Sequence, residues 1–148
     1  MTFQEASQVI KKGDITCLRR ELDGGLSPNL CNRYSWTLLM VAAMEGNTSI
    51  GRILIDKGAD LDTRNSHRNT ALSLAAHTGH PSFVKLLLAS GASLECYPFG
   101  NDMEVWLSWL GRHSACPPRE LQRIRELFDS ERKIRTHNER QQTFGIEY

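Results

Sequence analysis

The 148-residue sequence has no apolar run near the roughly twenty residues of a membrane span. Its first residues do not show the basic-then-apolar pattern of a signal peptide. The expectation is a soluble intracellular protein, cytoplasmic or nuclear. Four cysteines (Cys17, Cys31, Cys96, Cys116) form no Cys-x-x-Cys pair and no Cys/His cluster, so reduced structural thiols are expected and no metal. Cys17 is expected on the apolar side of a helix. There is no excess charge of either sign: 18 Lys and Arg stand against 17 Asp and Glu. Residues 1–98 hold ten basic and nine acidic side chains, and residues 99–148 hold eight of each. Without a concentrated basic face, nucleic acid is not an expected partner. Glycine-rich phosphate loops, nucleophile elbows and metal-helix motifs are missing too, so neither an enzyme nor a cofactor is expected.

What the sequence does contain is an echo. Thr37–Asp62 repeats in Thr70–Glu95 at an offset of thirty-three, with ten identities in twenty-six positions. They are Thr37/Thr70, Leu39/Leu72, Ala42/Ala75, Ala43/Ala76, Gly46/Gly79, Ser49/Ser82, Leu54/Leu87, Gly58/Gly91, Ala59/Ala92 and Leu61/Leu94. A period of this size means stacked units, because one unit cannot bury its apolar face alone. Each copy reads as a short helix, a tight turn at Gly46 or Gly79, a second helix opened by Thr48 or Pro81, and an extended loop after Gly58 or Gly91. Paired alanines on the first helix allow its neighbours to approach closely.

Thr70-Ala71-Leu72-Ser73-Leu74-Ala75-Ala76-His77-Thr78-Gly79-His80, with Phe83 to Leu88 and Gly91-Ala92-Ser93-Leu94, resembles the ankyrin repeat. So does Trp36 to Asn47 with Gly58-Ala59-Asp60-Leu61-Asp62. Leu38 and Ala71 stand in place of the Pro in the family's Thr-Pro-Leu-His opening, and Met40 and Ser73 in place of the His credited with turn hydrogen bonds. The resemblance implies an all-α solenoid of helix-turn-helix units joined by extended loops and β-turns. Carried upstream, the register lands on Gly13 and Gly25, and polar Arg20 and Glu21 replace apolar residues of the inner copies, as an N-terminal cap requires. Downstream, Asp102–Gly111 and an amphipathic stretch from Arg119 to Phe128 read as a divergent fourth pair. The expected repeats are about 1–33, 34–66, 67–99 and 100–130. A polar tail follows over 131–148, helical at its start.

Repeat arrays bind macromolecules along an extended surface. The resemblance implies a protein–protein interaction module, an adaptor, scaffold or inhibitor, whose partner sits on the concave face. Position by position, that face holds Arg33, Tyr34, Trp36, Met44 and Glu45, then Ser66, His67, Asn69, His77 and Thr78, then Phe99 and Asp102, with Lys11 and Lys12 ending the first helix of the cap. Tyr34 and Trp36 beside Arg33 have the composition of binding hot spots, although Trp36 can equally serve to stiffen the loop. Trp106 and Trp109 read as core, or as a docking patch if they point apart. His77 and His80, and Asp60 and Asp62, fall on ordinary repeat positions and are read as scaffold. Two other readings are a substrate receptor of a ubiquitin ligase and a structural subunit of a larger complex. Pro118-Arg119-Glu120-Leu121 lacks the Ser-Leu-x-x-Leu-Cys-Arg-like core the former requires. In isolation the chain is expected to be a monomer.

Overall fold

The computed structural model describes residues 1–98 and 102–144. These form eight helices, α1 (Phe3–Lys12), α2 (Ile15–Asp23), α3 (Leu38–Glu45), α4 (Thr48–Asp56), α5 (Ala71–Thr78), α6 (Pro81–Ala89), α7 (Met103–His113) and α8 (Pro118–Phe144). No strand occurs among the described residues; one isolated antiparallel bridge joins Cys31 and Thr37. The helices pair in order, and α2, α4 and α6 begin thirty-three residues apart. The expected all-α solenoid is the fold observed.

Each boundary has a local cause. Thr2, Thr37 and Thr70 cap the first helices with their side-chain oxygens. Asp14 and Asn47 do the same for α2 and α4. The first helices end at Gly13, Gly46 and Gly79 with φ of +70°, +68° and +77°, a conformation that costs glycine little. At α5 a reciprocal cap takes over the missing histidine's place. Ser73 Oγ accepts from Thr70 N (2.9 Å), and Ser73 N donates to Thr70 Oγ1 (3.2 Å). Met40 has no such oxygen, so α3 keeps only the bond from Met40 N to Thr37 Oγ1 (3.2 Å).

The first helices make the inner layer. Leu38–Ala43 and Ala71–Ala76 are buried on every side, because α3 is covered by both α1 and α5. In the outer layer, α4 approaches α6 at Gly51; a β-carbon there would stand 2.6 Å from Phe83 Cε2. The loops lock the register a second way. Asn29 Oδ1 accepts from Asp60 N (2.7 Å), and thirty-three residues on Asp62 Oδ1 accepts from Ser93 N (2.8 Å). The acidic pair Asp60 and Asp62 is thus turn-bonding scaffold.

The C-terminal pair departs from the period. Trp106 of α7 is buried edge-on against Phe128 of α8, ring centroids 5.9 Å apart. Instead of giving way early in the 131–148 segment, α8 continues as helix to Phe144. Arg135 fastens its middle, donating to Glu131 Oε1 (2.8 Å) and to Leu88 O (3.4 Å) on α6. Beyond Arg135, residues 136–142 are all exposed. All four cysteines are free. Cys17 is only half-buried, because α2 is an outer helix at the end of the array. Cys96 is fully buried, and loss of hydration pushes its thiol from the ordinary value near 9 up to about 12.

Two predictions follow from this packing. Gly46→Ala would place a β-carbon 2.5 Å from the His80 ring at a left-handed φ, and Gly51→Ala would overpack Phe83. Each should lower stability by about 1–3 kcal/mol, read as a reduced urea midpoint; an unchanged midpoint would contradict the close packing. Because the buried thiol stays neutral while the unfolded chain ionises, the Cys96 contribution is whole below pH 9 and is lost as pH rises toward 12. In native protein, maleimide should label exposed Cys31 rapidly and Cys96 only after unfolding, and Cys96→Ala should flatten the alkaline decline in stability.

Candidate partner-binding groove

The loop edge expected to form the concave face is built from two copies of one small hairpin. Asn32 Oδ1 accepts from Tyr34 N (2.9 Å) and Trp36 N (3.1 Å), while Asn65 Oδ1 accepts from His67 N and Asn69 N (both 3.0 Å). An Asx side chain folding its own backbone in this way is a turn-former. Ser35 and Arg68 take the left-handed residue of each tip, at φ +59° and +64°. The hairpins close with Asn32 N to Trp36 O (3.1 Å) and Asn65 N to Asn69 O (3.0 Å). Ser66 N then donates to Tyr34 O (3.0 Å), tying one tip to the next. The Arg64 guanidinium binds the carbonyls of Arg68, Tyr97 and Glu95, joining the second tip to the following loop.

This scaffold separates the residues of the Arg33-Tyr34-Ser35-Trp36 tip. Tyr34 is 48% exposed, and the Arg33 guanidinium carbon lies 4.7 Å from its ring centroid, within cation–π range. Trp36 lies on the hairpin's returning arm, half-buried against the core. Its packing stiffens the hairpin, while part of the ring lines the groove between α1 and α3.

A groove of about 790 Å³ runs between α1 and α3. Phe3, Tyr34, Trp36, Val41 and Met44 supply its apolar surface; Met44 is 40% exposed. Gln4, Ser7, Gln8 and Lys11 along α1, with Asn32 and Glu45 opposite, supply its polar surface. The groove therefore gathers Tyr34, Trp36, Met44 and Glu45. It adds a row of α1 residues that the sequence reading passed over, apart from Lys11. The signal was available: Lys11 is Met44 minus thirty-three, and Gln8 and Gln4 face the same way one and two turns earlier.

A second, smaller cavity of about 200 Å³ gathers His67, Asn69 and His77 with Trp106 and Trp109. Here the two tryptophans diverge. Trp106 is core, whereas Trp109 is half-buried and stacks with His77 (6.1 Å, 22°) and with His113 (4.9 Å, 15°). Asn69 accepts from Ser73 Oγ (3.2 Å), and Thr78 Oγ1 donates to Leu74 O (2.7 Å), so both are engaged within their repeat. Arg33, Ser66 and Thr78 line neither cavity, though Arg33 and Ser66 are exposed at the tips. Phe99 lies outside the described residues. His77 and His80 are not a pair: His77 faces Trp109, while His80 Nε2 lies 2.9 Å from Met44 O. Among the described residues no three His, Cys, Asp or Glu side chains are placed to hold a metal, and no helix is long and apolar enough to cross a membrane.

With this geometry in view, the family profile described as ankyrin repeats (three copies) matches residues 6–97. The chain is also similar to the ankyrin repeat, SAM and basic leucine zipper domain-containing protein 1 of several mammals. It is 41% identical to that of Neofelis nebulosa over 61 residues, which is 38% of this chain and 13% of the relative. The protein of Otolemur garnettii is 38% identical over 64 residues, covering 40% and 14%, and that of Loxodonta africana 39% over 61 residues, covering 38% and 13%. The chain thus matches about one-seventh of the length of these relatives or less. The family profile covers more than half of the chain, from the last turns of α1 to the loop before α7. Helix pairs, left-handed glycine ends and tied hairpin tips are the means by which that sequence pattern becomes a solenoid, and the chain belongs to the ankyrin-repeat family.

Proposed function

We propose that this chain is a non-enzymatic interaction module, an adaptor, scaffold or inhibitor, and that it holds a partner protein against the α1–α3 groove. Ankyrin repeats are protein–protein interaction modules. The observation that carries the choice of surface is the exposure of Tyr34 and Met44 on one apolar groove with Phe3, Trp36 and Val41. Tyrosine and methionine are enriched in interfaces over the rest of the surface. The groove sets these apolar residues beside the polar side chains of Gln4, Gln8, Lys11, Asn32 and Glu45, the mixed character of a protein–protein interface. His67, His77 and Trp109 extend the same face toward the C-terminal pair.

A second reading, a structural subunit of a larger complex, is favoured by one feature. On the far half of α8 the large apolar side chain of Ile134 is 53% exposed, a surface on which another subunit could pack. The two readings separate by mutation. Tyr34→Ala combined with Met44→Ala removes exposed groove atoms and should leave circular dichroism and the melting temperature nearly unchanged. Retention of the natural partner on the immobilised protein from native-cell lysate should fall at least about tenfold, equivalent to roughly 1.4 kcal/mol. Ile134→Ala, at a side chain 53% exposed on α8, should leave retention unchanged. Loss through Ile134 with retention through the groove variant would select the structural reading.

A further inference from the structure

The two cavities along the tip edge are lined by the same repeat positions. Tyr34, Trp36, Val41 and Met44 line the larger, and their counterparts thirty-three residues on, His67, Asn69, Leu74 and His77, line the smaller. The larger lies between α1 and α3 and the smaller between α5 and α7, so the two clefts flank the α3–α5 pair. Packed helices lie about 8–10 Å apart, which sets the cleft centres two such spacings, roughly 16–20 Å, from each other. One ligand crossing α3 and α5 therefore reaches both.

The backbone beside the clefts decides the form of that ligand. Tyr34 and Trp36 donate their N–H groups to Asn32 Oδ1, and their carbonyls accept from Ser66 N and Asn32 N. Likewise His67 N and Asn69 N donate to Asn65 Oδ1, and Asn69 O accepts from Asn65 N. With these main-chain groups already bonded, an extended peptide would find no ladder to continue, and the clefts offer side-chain seats only. A helix bonds its own backbone and needs nothing else. Eleven residues of helix advance about 16.5 Å through about three turns, so side chains eleven apart share one face and span the clefts.

The linings set the two anchors. In the first cleft the charges of Lys11 and Glu45 cancel, while Phe3, Tyr34, Trp36 and Met44 offer apolar surface, so an aliphatic side chain fits there. The second cleft has no carboxylate, lysine or arginine in its lining. Its volume of about 200 Å³ is below that of a small-molecule pocket and suits a single side chain. Rings form its walls, with His77 stacked on Trp109. His77 makes no hydrogen bond through its ring among the described residues, which leaves its nitrogens to an incoming polar atom. A flat side chain carrying one hydroxyl, tyrosine, matches both features.

We infer that the partner lays one amphipathic helix across α3 and α5, with an aliphatic side chain in the α1–α3 cleft and a tyrosine about eleven residues away beside His77 and Trp109. This rests on the reading of the α1–α3 groove as the partner site. Two phage-displayed libraries are panned on the full chain, one randomised along a face of a monomeric single-helix scaffold and one of random linear peptides. Enriched helices should carry an aliphatic residue and a tyrosine about eleven positions apart, and should bind at least about tenfold more tightly than any linear peptide. They are then titrated into chain labelled with fluorotryptophan, whose three tryptophans give three fluorine resonances, assigned with Trp36→Phe and Trp109→Phe. The Trp36 and Trp109 resonances should shift together along one binding curve. Met44→Ala and His77→Ala should each weaken binding at least about tenfold, with folding checked by circular dichroism. A shift confined to Trp36, enrichment of linear peptides alone, or no enrichment from either library would overturn the inference. If lysate capture depends on Tyr34 and Met44 but not on His77, the groove remains the partner site and only the two-cleft helix is rejected.

Discussion

An eight-residue helix is too short to persist alone in water, since few backbone bonds follow a costly first turn. Helix α3 exists because α1 covers one side of it and α5 the other, and it is alanine-rich so that both can come close. Everything else in the array serves that sandwich. Threonine caps begin the inner helices and left-handed glycines end them within one repeat length. The outer helices roof the layer, with Gly51 giving up its side chain to admit Phe83. Because the inner helices run side by side in register, their ends and the hairpins preceding them form one continuous edge. The groove is a gap in that edge, walled by Gln4, Gln8 and Lys11 of α1, of which Gln8 stands where the next repeats have Val41 and Leu74.

The repeat was legible because its physics is periodic. Threonine, paired alanine and glycine recur at one spacing, and the same spacing carried Tyr34, Met44 and His77 to a common face. The Asx turns at Asn32 and Asn65, and the left-handed Ser35 and Arg68, obey that register too. What resisted reading lies where period and chemistry part. The exchange of histidine for Ser73 still produces a capping bond, because a hydroxyl three residues after Thr70 reaches the same backbone N–H. His80 stands where Asn47 caps its own helix, yet its ring reaches back to the preceding repeat, a direction that residue type alone does not encode.

The C-terminal pair was the least legible part. Trp106 and Trp109 are three apart on one helix, and spacing cannot say which is core. Phe128 decides it by meeting Trp106 edge-on, while His77 and His113 both stack with Trp109. The length of α8 was hidden for another reason. Its apolar residues thin out after Phe128, and a tie that holds its middle is a guanidinium on a carbonyl of α6, a contact between residues forty-seven positions apart. No local pattern announces such a tie.

Met44 stands at a junction whose meaning reaches past its own side chain. The thioether lines the concave cleft, while the carbonyl of the same residue is held by His80, which opens α6 in the outer layer. Gly46, two residues on, fits against that imidazole with no room for a β-carbon. The wall of the cleft and the start of an outer helix are thereby one rigid joint. A partner seated in that cleft would press, through a single peptide unit, on the start of the outer helix.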